Sequence, residues 1–160
     1  ATPTQIFEIY GYPDLLKIDI ENFDIEVLKY LKSKEIIPKY LTFEVQNRET
    51  LDFVLGNFEY KYYNFVLGHR VSVDYGDKQL ENHSSGPIFT DLKFKWVSKK
   101  IIYFYFKICN YGWVDVHCTD EILNNEKSIG IVQTIYYLFK DKIYRILSPY
   151  KNRVKGKFKL

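Results

Sequence analysis

No methionine occurs among the 160 residues of this chain, which excludes a translation product that keeps its initiator residue. We therefore expect a processed protein or a fragment of a longer one. Only two cysteines are present, Cys109 and Cys118, and they form neither a CxxC pair nor the dense pattern of a small disulfide-rich domain. This scarcity predicts a reducing compartment, and the cytoplasm is the expected location.

Long apolar runs and a targeting leader are also missing. No stretch approaches the roughly 18 consecutive apolar residues of a membrane-spanning helix, so no transmembrane segment is predicted. The N-terminus lacks the basic and then apolar layout of a signal peptide. The net charge is only +3 and its local excess lies in residues 151–160, so the sequence predicts no nucleic-acid partner.

Several motifs of common enzyme classes are absent as well. The eight glycines never cluster into a GxGxxG loop, and neither a Walker loop nor a GxSxG motif occurs. Ser84 and Ser85 have no base at a diagnostic spacing. These absences argue against kinase and serine-hydrolase functions.

The sequence does contain two successive units in which a strand pattern leads into a helix pattern. In residues 13–31 a strand is predicted at 15–21, followed by a helix with an apolar stripe that begins at Ile25. Residues 38–55 repeat this layout, with a strand at 40–46 and then a helix. A helix between two strands predicts a βαβ crossover, so we expect neighbouring parallel strands with a ligand-binding edge at their carboxyl ends.

Shorter patterns predict the remaining elements. They are a helix from Thr2 or Thr4 to Gly11, a strand at 60–67, a strand at 113–117 and an amphipathic helix over 131–147. Residues 97–108 fit either a strand or a helix by composition. Residues 68–95 lack a regular pattern, which is typical of a binding loop or a disordered one.

Acidic and amide side chains gather at the predicted carboxyl edge of the strands: Asp19, Glu21, Asn22, Glu44 and Gln46. Two carboxylates at adjacent strand ends can hold a hard cation, orient a substrate hydroxyl, or act as a general base. The alternative is structural, because acids also favour the N-termini of following helices or pair with Lys17 and Arg48.

Two histidines offer weaker candidates for chemistry. His83, in the polar loop NHSSGP, is a candidate proton acceptor, and an exposed loop histidine is the alternative. Asp115 and His117 share one face at strand spacing, but no third metal ligand is visible at a diagnostic distance.

The run LLKIDIENFDIEVLKYL followed by PKYLTFEV resembles the second half of the FkbM-type methyltransferases, and so do the later SSGP with Trp96 and GWVDVH at 112–117. The resemblance implies a class I S-adenosylmethionine-dependent enzyme that methylates a hydroxyl of a sugar or other small natural product. It implies a Rossmann-like sheet with a reversed last strand, of which this chain would carry the fourth to seventh strands with their flanking helices. It also favours a helix at residues 97–108.

The resemblance implies that the site lies at the acidic edge and in the polar loop NHSSGP. The expected catalytic residues are Asp19, Glu44 and His83, and the expected substrate-binding residues are Glu21, Asn22, Ser84 and Ser85. Asn22 stands where the family has glycine, and asparagine still tolerates a left-handed turn. No metal ligand set is predicted.

The family's first three strands, with the glycine-rich loop that holds S-adenosylmethionine, have no counterpart upstream of Ala1. The chain is therefore interpreted as one partial domain, with residues 1–117 family-like and 118–160 a C-terminal helix and basic tail. It is expected to be inactive alone, and its cofactor-binding residues remain unknown. One alternative is a non-enzymatic interaction module that forms a homo-oligomer through an exposed sheet edge. Another is a metal-dependent hydrolase that uses Asp19, Glu44 and Asp115.

Overall fold

The computed structural model describes residues 2–45, 47–68, 71, 92, 96–108, 114–122 and 136. These residues include four helices and four strands, which confirms the α/β class. In chain order they are α1 (Pro3–Tyr10), β1 (Leu15–Ile18), α2 (Asp24–Ser33), β2 (Tyr40–Val45), α3 (Arg48–Asn57), β3 (Tyr62–Leu67), α4 (Lys99–Ile108) and β4 (Val114–Thr119).

Local sequence explains where α1 begins and ends. Thr2 is the N-cap, and its hydroxyl accepts a hydrogen bond from the Gln5 backbone N–H, while the Gln5 side chain accepts one from the Thr2 N–H. This reciprocal pair is a capping box, and Pro3 follows it at the first helical position. Gly11, at φ 87°, adopts a backbone conformation that other residues rarely reach, and there the helix stops.

The four strands form one mixed sheet in the order β1-β2-β4-β3. β1 and β2 are parallel neighbours, with Leu16 opposite Leu41, as the crossover pattern predicted. β4 runs antiparallel to both β2 and β3 and lies between them. The expectation that successive units give neighbouring strands therefore fails for β2 and β3, because a strand from much later in the chain separates them.

One face of the sheet carries the main apolar core. Alternate strand residues point toward it, among them Phe43 on β2 and Val116 on β4, both fully buried. Each of the four helices adds side chains to the same cluster, including Phe7 from α1, Leu28 from α2 and Ile102 from α4. This arrangement follows from the period-2 alternation of strands meeting the apolar stripes of helices.

The opposite face of the sheet is largely polar although it is also buried. Thr42, Asn64, Asp115 and His117 are each no more than 3% exposed. A small apolar cluster that contains Val66 and Trp96 lies on the same side of the sheet. Buried polar groups need hydrogen-bond or charge partners, so each polar side chain on this face requires a specific partner, which the side chains of the apolar face do not.

Several predicted boundaries shift. β1 ends at Ile18 rather than at Glu21, because Glu21 and Asn22 adopt left-handed φ angles of 30° and 70° that turn the chain out of the strand. β3 begins at Tyr62 rather than at residue 60, and β4 continues to Thr119.

Residues 99–108 form a helix, as the resemblance favoured over the strand alternative. The predicted helix at 131–147 lies outside the described residues except for Tyr136, and so does most of the loop at 68–95. Within the described part of the chain, no helix is long and apolar enough to cross a membrane.

Candidate functional site

The acidic edge lies where β1 and β2 end. Asp19 directly follows β1 with its side chain 32% exposed, and Glu44 is half-buried near the end of β2. The parallel register pairs Ile18 with Phe43, so the next residues along, Asp19 and Glu44, emerge at the same edge. The sequence prediction that these two carboxylates share one edge is therefore consistent with the observed strand pairing.

Asp115 joins this edge from the reversed strand. It lies directly opposite Glu44 in the β2–β4 register. Lys17 bridges the carboxylates, because its Nζ lies 3.1 Å from Asp19 Oδ2 and 3.9 Å from Asp115 Oδ2. Like charges opposite one another on a sheet are unfavourable, and the ammonium group offsets that repulsion.

This bridge weighs against the metal-dependent hydrolase alternative. A lysine ammonium lies against two of the three carboxylates that the alternative needs, Asp19 and Asp115. In the part of the chain that the structure describes, no group of three His, Cys, Asp or Glu side chains is arranged to hold a metal ion.

A polar row crosses the second face of the sheet. Lys17, Thr42, His117 and Asn64 are successive cross-strand partners from β1 to β3. His117 Nδ1 and Thr42 Oγ1 are hydrogen-bonded at 3.0 Å, whereas His117 Nε2 is buried without a partner. Burial, helped by the positive charge of Lys17, lowers the pKa of His117 to about 3, so the imidazole is neutral at pH 7.

A small crevice opens beside the acidic edge, between the N-termini of α2 and α3. It is lined by Asn22, Asp24, Ile25, Glu44, Asn47 and Thr50 and holds about 210 Å³ of space, part of it continuous with solvent. The part of the crevice wall that α3 contributes is held in place by the N-cap of this helix, because Asn47 Oδ1 accepts hydrogen bonds from the Thr50 N–H and hydroxyl.

Asp24 is the most unusual group in the crevice. Its side chain is only 4% exposed, and both carboxylate oxygens are buried without a hydrogen-bond partner. Burial raises the pKa of Asp24, and the charge of Asp19 adds to that effect. Backbone N–H groups of Glu44, Asp24 and Ile20 oppose the shift, but none of them makes a hydrogen bond of normal geometry.

The other predicted site residues fall into two groups. Glu21 and Asn22 are exposed in the turn that leads from β1 to α2, and only Asn22 lines the crevice. His83, Ser84, Ser85 and Gln46 lie outside the described residues, so their predicted roles stay predictions.

Two features of this region escaped sequence reasoning. Asp24 was not among the predicted site residues, yet its side chain is buried in the first turn of α2. Its place four and seven positions before the buried Leu28 and Leu31 puts it on the same helix face, which is the signal that could have suggested burial. The pairing of Thr42 with His117 could not be read from sequence, because it depends on β4 lying beside β2.

Cys118 is excluded as a nucleophile by its surroundings. It is a free thiol, 1% exposed, on the apolar face of the sheet. Burial raises the pKa of this thiol well above its usual range, so the reactive thiolate is not populated at neutral pH.

Comparisons with known proteins identify no relative. No protein-family model matches the chain, and no curated protein and no solved structure matches it. The function is therefore argued from the site and from the sequence resemblance.

The arrangement is suited to act on a hydroxyl or a cation at the edge of the sheet. Two partly exposed carboxylates, Asp19 and Glu44, are accessible acceptors for a proton or a hydrogen bond. Lys17 forms an ion pair with Asp19 at 3.1 Å, which restricts the movement of that carboxylate. A third carboxylate, that of Asp24, lies buried in the adjoining crevice.

Proposed function

We propose that this chain is the C-terminal half of an S-adenosylmethionine-dependent O-methyltransferase that acts on a hydroxyl of a sugar or another small natural product. The observation that carries the proposal is the strand order β1-β2-β4-β3, with β4 reversed. A reversed last strand is what the FkbM resemblance implies for the fourth to seventh strands of the sheet. The acidic edge at the ends of β1 and β2 is also where such sheets bind ligands.

The left-handed turn after β1 gives further support. Asn22 replaces the glycine of the family pattern and has φ 70°, so it takes the turn that a glycine would take. The substitution therefore leaves the path from Asp19 to α2 compatible with the proposal.

The described residues supply the acceptor side of the proposed reaction. Only about 20 Å³ of the crevice is open to a water-sized molecule, roughly the space that one water needs, so the crevice does not fit the methyl donor. In the intact enzyme the other half of the sheet would hold S-adenosylmethionine, which supplies the methyl group. We expect the chain alone to be inactive.

In this proposal Asp19 and Glu44 orient the acceptor hydroxyl and one of them accepts its proton. Asp19 is held by Lys17 at 3.1 Å, which suits a fixed hydrogen-bond acceptor. Glu44 lies half-buried on the neighbouring strand and would approach the hydroxyl from the other side. His83, Ser84 and Ser85 would complete the acceptor contacts from the loop.

The test uses the enzyme with both halves of its sheet and follows S-adenosylhomocysteine release over a panel of sugars and hydroxylated natural products. We expect Asp19→Asn and Glu44→Gln to lower kcat by about 100-fold while the affinity for the methyl donor stays unchanged. Glu26→Gln is the matched control, because Glu26 is 63% exposed and pairs only locally with Lys29 at 3.1 Å. Full turnover in both edge variants with normal donor binding would refute the proposal.

A second candidate is a non-enzymatic interaction module. No described strand pairs with the outer edge of β1, and large apolar side chains nearby in sequence are exposed, including Tyr10, Tyr12 and Phe23 at 64% or more. Open strand edges favour association with another chain. Two measurements on the 160-residue chain separate the candidates: calorimetry with S-adenosylmethionine and determination of the oligomeric state. A dimer that does not bind S-adenosylmethionine supports the interaction module only if the enzyme with both halves of its sheet also lacks turnover.

A further inference from the structure

We propose that the crevice lined by Asn22, Asp24, Glu44 and Asn47 binds a hydrated divalent cation of the oxygen-preferring class, Mg²⁺ in the first place. The site shares Asn22 and Glu44 with the acceptor side proposed above, but cation binding does not depend on the chain being a methyltransferase. Its central ligand is Asp24, which neither the resemblance nor the acidic edge assigned to any function.

The first observation is the unpartnered carboxylate. Asp24 is 4% exposed, and neither of its oxygens has a hydrogen-bond partner. Buried polar groups are almost always satisfied, and an exception in a native structure calls for a bound water, an ion or a functional role. A buried unpaired charge is especially costly, so a ligand that supplies positive charge or a proton is strongly favoured.

The second observation is the chemistry of the lining. Besides Asp24, the crevice offers oxygen ligands from the half-buried Glu44 and from the Asn22 carboxamide, whereas the Asn47 oxygen is occupied by two hydrogen bonds from Thr50. Neither lysine nor arginine contributes to this described lining. The potential in the crevice therefore favours a cation over a neutral water.

The third observation is the size and openness of the space. A metal ion approaches a carboxylate oxygen to about 2.0–2.6 Å, closer than a water molecule does, so it can reach oxygens that are closed to solvent. The crevice is also open on one side, which leaves room for water ligands. Mg²⁺ typically keeps several waters and uses one or two protein carboxylates, and the lining offers two, Asp24 and Glu44.

The test measures binding to the 160-residue chain directly. Calorimetric titration with MgCl₂, and separately with CaCl₂, is compared with NaCl at matched ionic strength. We expect saturable binding of Mg²⁺ with a dissociation constant in the millimolar range or below. Tighter binding of Ca²⁺ would change the assigned ion but keep the site.

Two isosteric variants distinguish the crevice from nonspecific binding to surface acids. Asp24→Asn should weaken Mg²⁺ binding by roughly tenfold or more, whereas Glu26→Gln, in the same turn of α2 but exposed, should leave it unchanged. Circular dichroism checks that both variants fold. If Asp24→Asn does not fold, paramagnetic broadening by Mn²⁺ in the wild-type chain takes its place, with the amide signals of Asn22, Asp24 and Asn47 expected to broaden first.

Absence of saturable binding by the wild-type chain would overturn the proposal, and so would equal affinity in the Asp24→Asn variant. Mn²⁺ broadening centred on other carboxylates would also overturn the proposal. Because these readouts need neither methyl donor nor acceptor, failure of the cation site leaves the methyltransferase proposal standing, and the reverse also holds.

Discussion

The two faces of the sheet are both buried, yet they are built on opposite principles. One face packs Phe43, Val116 and their apolar neighbours against four helices. The other face buries Thr42, Asp115 and His117 and depends on specific partners for each. Apolar packing is non-directional and tolerates small shifts, whereas a polar face is stable only while its pairs stay matched. The same strands therefore stabilise the fold with one face and hold polar side chains in defined positions with the other.

The largest expected effect comes from removing bulk on the apolar face. Phe43→Ala should lower the free energy of unfolding by about 3–5 kcal/mol, because Phe43 is fully buried and the variant leaves a cavity. Thr42→Val is the matched substitution on the next residue, whose side chain faces the other way. It should cost only about 1 kcal/mol, through the lost hydrogen bond to His117. Urea denaturation measures both, and equal losses would contradict the division between the two faces.

A smaller effect is expected from breaking the charge bridge of the polar face. Lys17→Met should lower the free energy of unfolding by about 2 kcal/mol, because it leaves Asp115, whose side chain is only 4% exposed, without this ammonium group. The value is discounted because the Lys17 side chain is itself 23% exposed. Lys29→Met breaks the exposed pairs with Glu26 and Glu49 and should cost less than about 0.5 kcal/mol. A similar loss in both variants would mean that burial does not strengthen the Lys17 bridge.

The smallest effect is the dependence of stability on pH that His117 contributes to the polar face. The pKa of His117 falls from about 6.5 in the unfolded chain to about 3 in the folded one, so the unfolded state binds more protons between these values. His117 therefore contributes stability above pH 6.5 that is progressively lost as the pH falls. We expect a loss of about 1.5 kcal/mol between about pH 6.5 and pH 5.

His117→Asn should remove this contribution, because asparagine can still pair with Thr42 but does not titrate in this range. The measurement is the difference in unfolding free energy between wild type and variant at several pH values, which cancels the titration of shared carboxylates. A difference that stays constant with pH would show that His117 is not held neutral by burial.

The sequence predicted those elements whose signals lie in residues close together along the chain. The strands β1 and β2 and the helices after them follow from alternating and helical spacing, and the Thr2 cap and Gly11 stop are local as well. The order of the sheet was less accessible. Residue spacing suggested that β3 would follow β2 in space, whereas β4 separates them, and no local pattern encodes that long-range pairing.

The candidate site was predictable to the same extent. Asp19 and Glu44 could be assigned to one edge because parallel register is set by the strands themselves. The Lys17 bridge to Asp115 and the pairing of Thr42 with His117 required the position of β4. The burial of Asp24 required the packing of α2 over the strand ends, which the acidic composition of a helix start conceals.

The insertion of β4 also sets an order of events during folding. β1 and β2 can pair as soon as residue 45 is made, but β3 has no described strand neighbour other than β4, which ends at Thr119. The 74 residues from 46 to 119 must therefore be synthesised after β2 before the sheet can close. Contacts this distant along the chain are typical of slow folding, and until they form the β2 and β3 edges stay open to other chains. The strand that brings Asp115 and His117 into the polar face is thus also the strand that ends the period of greatest aggregation risk.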